Sequence, residues 1–191
     1  MEKLCALRNV LLSLLGKIKC FPQISTGNDR PRIYFIGGAR PRDAVASLCA
    51  EGSCVLVTQE EYDSDRLLRA LKEKHLITAK GGMNTEWLHS ALRRLSEGQS
   101  LLAFPDGKRA SELSAAAVLL SLMSGAEIVP MYSTAADCGR HLFPRRRKLT
   151  AGKPLRPDEN TRLTSEQLKK ESGRLCTAVS ELHSAEPKCG E

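Results

Sequence analysis

Apolar residues recur along this chain in two patterns, short continuous runs and longer stretches at helical spacing. The short runs predict strands at Arg32–Ile36, Cys54–Thr58, Leu76–Thr78, Leu101–Phe104 and Ile128–Tyr132. The helical spacing predicts helices at Ala44–Cys49, Ser64–Lys74, between Asn84 and Gly98, at Glu112–Met123 and at Leu163–Leu182. Because strands and helices alternate, we expect a single-domain α/β fold whose central, largely parallel sheet is covered by helices on both faces.

The two ends of the chain differ from this pattern. Leucines at positions 4, 7, 11, 14 and 15 predict an amphipathic helix that either packs on the domain, the favoured alternative, or lies on a membrane surface. The stretch is too short and too polar to span a bilayer, and no small-residue cleavage site follows it. We therefore expect a lead-in at 1–26, the domain at 27–183 and a disordered tail at 184–191.

The composition narrows the class of partner. The 191 residues carry a net charge of +7, which favours phosphorylated metabolites, anionic lipid headgroups or nucleic acid. Only 4% of the residues are aromatic, which argues against nucleic acid, because single strands are bound on stacking platforms. The seven cysteines are scattered without a CxxC pair, which is typical of reduced cytosolic thiols and predicts neither a disulfide framework nor a metal site.

Two segments follow predicted strands, where sites gather in parallel sheets. Phe104–Arg109 breaks at a Pro-Asp-Gly turn, carries two cations and precedes a helix that Ser111 can cap, so it is either an anion site or a solvated surface turn. Gly37–Asp43 follows the first strand, and Asp43 has the chemistry of a helix N-cap.

Four segments of the chain resemble sequence blocks of the glycerolipid acyltransferases, typified by lysophosphatidic acid acyltransferase, and they occur along the chain in the same order as in that family. Phe104–Arg109 resembles the family's Phe-Pro-Glu-Gly-Thr-Arg block, and Gly125–Tyr132 resembles the strand with a proline that follows it. Gly152–Leu155 resembles the late Gly-Lys-Pro-Leu element, and Leu76–Lys80 loosely resembles a block ending in arginine, with Lys80 in that place. The resemblance runs from about residue 8 to residue 182.

The resemblance implies an activity. It implies transfer of an acyl group from a thioester, acyl-CoA or acyl carrier protein, to a glycerol phosphate or lysophospholipid, with no further cofactor. Gly107 and Arg109 would hold the acceptor's phosphate, with Asp106 in place of the family's glutamate and Lys108 in place of its threonine. Lys80 and Pro130 would support this site as further contacts. The cysteine pattern predicts a cytoplasmic location, and the resemblance implies a peripheral position at the inner membrane surface.

The chain departs from the family at the catalytic motif, His-x-x-x-x-Asp. Asp43 matches the aspartate, but Gly38 stands where the histidine deprotonates the acceptor hydroxyl. His75 or His141 could approach Asp43 in the fold, whereas His89 is expected to be structural or solvent-facing. Either another base serves an active enzyme, or the chain is a non-catalytic homologue that binds a phosphorylated lipid, an acyl carrier or a partner protein.

Two further features leave alternatives open. Cys49 and Cys54 lie near Asp43 in the chain, and a core position is favoured over a nucleophile for Cys49. The basic run 145–148 is either a solvated surface, the default expectation, or an attraction for an anionic membrane, nucleotide-bearing thioester or acidic carrier.

Overall fold

The computed structural model describes residues 30–41, 53–70, 76–79, 84–105, 110–134, 148–157 and 164–185. In these ranges the strands are β1 (Arg32–Gly37), β2 (Ser53–Thr58), β3 (Leu76–Ala79), β4 (Ser100–Ala103), β5 (Glu127–Thr134) and β6 (Lys148–Ala151). The helices are α1 (Gln59–Ser64), α2 (Arg66–Ala70), α3 (Thr85–Ser96), α4 (Ala110–Ser124) and α5 (Ser165–Ser184).

The strands form one sheet in the order β3-β2-β4-β1-β5-β6. The pairs among β1 to β5 are parallel, and β6 pairs antiparallel with β5. Parallel strands need crossover connections. The helices α1 and α2 lie between β2 and β3, α3 lies between β3 and β4, and α4 lies between β4 and β5. The predicted α/β fold with a largely parallel sheet is therefore confirmed.

Side chains along a strand alternate between the two faces of a sheet. Both faces of this sheet are buried. Ile33 and Phe35 of β1 belong to a cluster that includes residues of α3, α4 and α5. Tyr34 and Ile36 point to the opposite face, where they share a cluster with Leu68 of α2. Helices thus cover both faces, as the sequence predicts.

Helix boundaries depend on capping side chains. Asn84 caps α3 as predicted: its side-chain oxygen accepts a hydrogen bond from the Trp87 backbone N–H at 3.0 Å. The expectation that Ser111 caps α4 is wrong, because the helix already begins at Ala110 and the Ser111 carbonyl accepts from Ser114 Oγ. The serine is the second residue of the helix, so it lies within the first turn and past the cap position.

Two further predictions need correction. The helix expected from about Ser64 begins at Arg66, as α2, and a separate helix that the sequence did not predict, α1, precedes it, because Thr58 and Glu61 form a reciprocal capping box. Asp65 is extended between α1 and α2, so the helical run is broken there. No strand is predicted at Lys148–Ala151, yet this segment forms β6. Its only large apolar side chain is Leu149, and it pairs with the edge of β5.

Several predicted features lie outside the described residues. They are the N-terminal helix, the helix at 44–49, Asp43, Cys49, Lys80, Asp106–Arg109, His75, His141 and residues 145–147 of the basic run. In the part of the chain that is described, the helices are all too short or too polar to cross a membrane.

Candidate functional site

The two predicted site segments begin side by side. β1 and β4 are neighbouring parallel strands, with Phe35 opposite Ala103, so both end at the same edge of the sheet. The chain leaves this edge through Gly38 after β1 and through the buried Phe104 after β4. Carboxyl ends of neighbouring strands are where ligands bind in such sheets. Asp43 and Asp106–Arg109 follow these points in the sequence but are outside the described residues, so their roles stay predictions.

The backbone at Gly37 and Gly38 is covered by other parts of the fold. A Cβ atom built on Gly37 would lie 2.5 Å from Val179 Cγ1 of α5. Gly38 has a φ of +71°, and a Cβ atom on it would meet the Ser133 carbonyl oxygen and come within 2.9 Å of Tyr132 Cζ. Such contacts leave no room for a side chain. The surrounding structure therefore requires a glycine at position 38.

One histidine lies at this edge that the sequence analysis did not single out. The His183 ring stacks on the Tyr132 ring, with centroids 4.6 Å apart and planes inclined by 37°. His183 is in the last turn of α5, four residues after Val179, and is exposed. Residues four apart share one face of a helix, and this spacing from an apolar position is the signal in the sequence. By contrast, His89 is exposed on α3, which agrees with its expected solvent-facing position.

Two of the segments that carry the resemblance contact each other. The Pro130 carbonyl, buried in β5, accepts a hydrogen bond from the Gly152 N–H at 2.8 Å. Ile128 and Leu155 exchange two backbone hydrogen bonds, of 2.9 and 2.7 Å. A Cβ atom on Gly152 would lie 3.3 Å from Leu182 of α5. These two segments therefore help to seat α5 beside the candidate site.

Cys54, which lies near Asp43 in the sequence, is at the start of β2 and does not have the properties of a nucleophile. Cys54 is fully buried in β2, and burial raises the pKa of its thiol to about 11, although the positive charge of Arg94 acts in the opposite direction. The reactive form of cysteine is the thiolate, which is scarce at neutral pH when the pKa is this high. Cys54 is a core residue. Within the described ranges, no group of three His, Cys, Asp or Glu side chains is placed to hold a metal ion.

A groove of about 550 Å³ opens between the N-terminal halves of α3 and α4 and the start of α5. Most of its lining is apolar, and the residues are Asn84, Thr85, Trp87, Leu88, Glu112, Ala115, Ala116, Leu119 and Leu168. Trp87 is buried, and its Nε1 atom has no hydrogen-bond partner among the described residues. The helix α4 begins directly after the predicted phosphate segment, so an apolar surface follows an expected anion site.

Comparison with known proteins gives a structural neighbour. No family model matches the chain, and no curated protein matches it. The fold is similar to the crystal structure of the 1-acyl-sn-glycerophosphate (LPA) acyltransferase PlsC from Thermotoga maritima, with a TM-score of 0.56 and 14% sequence identity. The match covers 96% of this chain and 83% of that one. At this identity the comparison establishes a common acyltransferase-like fold.

Proposed function

We propose that this protein is an acyltransferase of glycerolipid metabolism. It would move an acyl group from a thioester, acyl-CoA or acyl carrier protein, to a glycerol phosphate or lysophospholipid. The observation that carries the proposal is the fold shared with an LPA acyltransferase. In this chain, β1 and β4 end side by side, and each is followed by one of the two motif-like segments. The neighbour's substrates are the source of the proposed substrate class.

The proposed site has a polar part and an apolar part. Arg109 would bind the acceptor's phosphate, because a planar guanidinium pairs with two phosphate oxygens, and Lys108 would add charge. Asp106 and Gly107 would shape the turn. The groove that begins at α4 offers apolar surface to an acyl chain, which suits an amphiphilic substrate.

The remaining predicted residues have supporting roles in this proposal. Asp43 would orient a proton-accepting group at the end of β1. Lys80, after β3, would add positive charge near the acceptor, and Pro130 would act through the packing of β5 against Gly152. The basic run 145–148 and the N-terminal leucines would hold the protein at an anionic membrane surface on the cytoplasmic side.

The proposed reaction exchanges one bond for another. The acceptor hydroxyl oxygen attacks the thioester carbonyl carbon, a C–O bond forms, the C–S bond breaks, and the hydroxyl proton passes through a base to the departing thiolate. Gly38 has no side chain to accept that proton. A second candidate function is therefore a non-catalytic homologue that binds the phosphorylated lipid, an acyl carrier or a partner protein, and the packing of Tyr132 over Gly38 favours it.

The test combines transfer and binding with the purified full chain. Labelled acyl-CoA and acyl carrier protein would be offered with glycerol 3-phosphate and a set of lysophospholipids, and lysophosphatidic acid binding would be titrated separately. Transfer that falls sharply in Arg109→Ala supports the enzyme, whereas Arg109-dependent binding without transfer supports the homologue. Arg93→Ala is the matched control, since Arg93 is exposed on α3 and paired with Glu97 at 2.9 Å. Neither transfer nor binding would reject both functions.

A further inference from the structure

The end of α5 lies over the backbone where the motif histidine is missing. Val179 covers Gly37, and His183, one turn further along the same helix face, stacks on the ring that covers Gly38. The sheet register places Tyr132 opposite Gly37, at the end of β5 next to the end of β1. A helix can approach a strand this closely only where the strand has no side chains. The glycine pair thus makes room for a helix that carries another histidine.

We propose that His183 is the proton acceptor that replaces the motif histidine in acyl transfer. This inference rests on the proposed function. The neutral imidazole would take the proton of the acceptor hydroxyl as its oxygen attacks the thioester carbonyl carbon. The resulting imidazolium would return that proton to the thiolate sulfur once the C–S bond has broken, so the imidazole ends each turnover neutral.

Three properties of His183 suit this role. Its imidazole is exposed, so a substrate at the carboxyl edge of the sheet has access to it. Stacking on Tyr132 restricts the ring, which fixes where the proton acceptor lies. Histidine is also the side chain most often used as a general base near neutral pH. Cys54 is fully buried, and His89, although exposed, lies on α3 and not on the helix that packs over Gly37.

The rate of labelled acyl transfer, measured in the full chain with acyl-CoA and lysophosphatidic acid, tests the proposal. His183→Phe keeps an aromatic ring for Tyr132 but removes the proton acceptor, so we expect kcat to fall by about 10²- to 10⁴-fold with little change in KM. His183→Ala should lose as much and regain activity when imidazole is added, because the free base can enter the vacated space. His89→Phe is the matched control and should retain wild-type kcat.

The outcomes separate this inference from the proposed function. A wild-type protein without transfer activity overturns both. An active wild type whose kcat is unchanged in His183→Phe overturns only the role of His183. In that case a loss in His75→Phe or His141→Phe would identify the base instead. Loss in His183→Phe together with imidazole rescue of His183→Ala supports the assignment, because a merely structural role would not respond to added imidazole.

Discussion

Val179 and Gly37 are in direct contact, side chain against backbone, where α5 crosses the end of β1. A methyl group on Gly37 would lie 2.5 Å from Val179 Cγ1 and 3.2 Å from Tyr132 Cδ2. We therefore expect Gly37→Ala to lower the free energy of unfolding by about 1–3 kcal/mol, as overpacking of a tight contact does. Chemical denaturation of both proteins measures the difference.

Gly173→Ala is the control for this prediction, since Gly173 lies in the same helix with open space around it. It should raise the free energy of unfolding by about 0.5–1 kcal/mol, because alanine is a better helix former than glycine. The double variant Gly37→Ala, Val179→Ala should be destabilised by less than the two single changes together. Equal stability of Gly37→Ala and wild type would show that α5 does not pack on β1 in this way.

Gly38→His, which would place a histidine five residues before Asp43, should not increase acyl transfer. The φ of +71° disfavours any side chain at this position, and the Ser133 carbonyl and Tyr132 ring occupy the space. We expect a lower free energy of unfolding and no gain in acyl transfer. Gly98→His is the matched control, because Gly98 has a φ of +81° with nothing within 4 Å of its added Cβ atom.

The two histidine variants share the left-handed backbone cost, about 1–2 kcal/mol. The additional loss in Gly38→His then measures the crowding by Tyr132 and Ser133. Thermal unfolding and a labelled transfer assay would be run on both variants. A Gly38→His protein that is as stable as Gly98→His and gains transfer activity would contradict the packing described at the end of β1.

The thiol of Cys54 should make the free energy of unfolding decrease with rising pH in the alkaline range. Its pKa is raised by burial from 9.0 to about 11, so the folded state holds its proton more tightly than the unfolded state. The stabilisation is complete below pH 9 and is lost as the pH rises towards 11, by roughly 2–3 kcal/mol at 1.36 kcal/mol per unit. Urea unfolding of wild type and Cys54→Ala across this range isolates the effect.

The comparison between the two proteins uses only the slope of the unfolding free energy against pH, because Cys54→Ala also loses packing contacts at every pH. Cys176→Ala, a change at a partly exposed cysteine of α5, should keep the wild-type slope. A Cys54→Ala slope equal to that of wild type between pH 9 and 11 would count against the burial of the thiol.

The N-cap of α3 should contribute about 1 kcal/mol to the free energy of unfolding. Asn84 accepts the Trp87 N–H at 3.0 Å, and alanine cannot replace this hydrogen bond. We expect Asn84→Ala to lower the free energy of unfolding by about 0.5–2 kcal/mol and Asn84→Asp to remain close to wild type. Thermal unfolding of the three proteins tests this, and equal losses in the two variants would show that the side-chain oxygen is not the cap.

The sequence predicts those parts of the fold that depend on local pattern. β1 and β5 contain continuous apolar runs that are buried on both faces. The cap of α3, Asn84, directly precedes the helix, and the apolar residues of α3 recur at helical spacing. The edge strand β6 is not predictable in this way, because its formation depends on pairing with β5. Its sequence alone has no strand pattern.

The same reasoning applies to the candidate site. The positions of Gly38 and Phe104 at the ends of strands follow from the apolar runs, and parallel pairing of β1 with β4 brings them to one edge. His183 is far away in the sequence, and only the packing of α5 on Gly37 shows that it lies there. The four-residue spacing from Val179 predicts that His183 shares that helix face, but not which strand the face packs against.

The central position of β1 also has a consequence for how the chain folds. Its two neighbours are β4 and β5, so Ile33 pairs with Leu101 on one side and Ile128 on the other. On the ribosome, β1 is synthesised long before β4 and β5, so the backbone hydrogen-bonding groups on both of its edges at first lack their partner strands. Such distant pairing slows folding and leaves apolar strands exposed to aggregation. A chain that ends before β5 would leave one edge of β1 without its partner and should therefore aggregate more readily than the full chain.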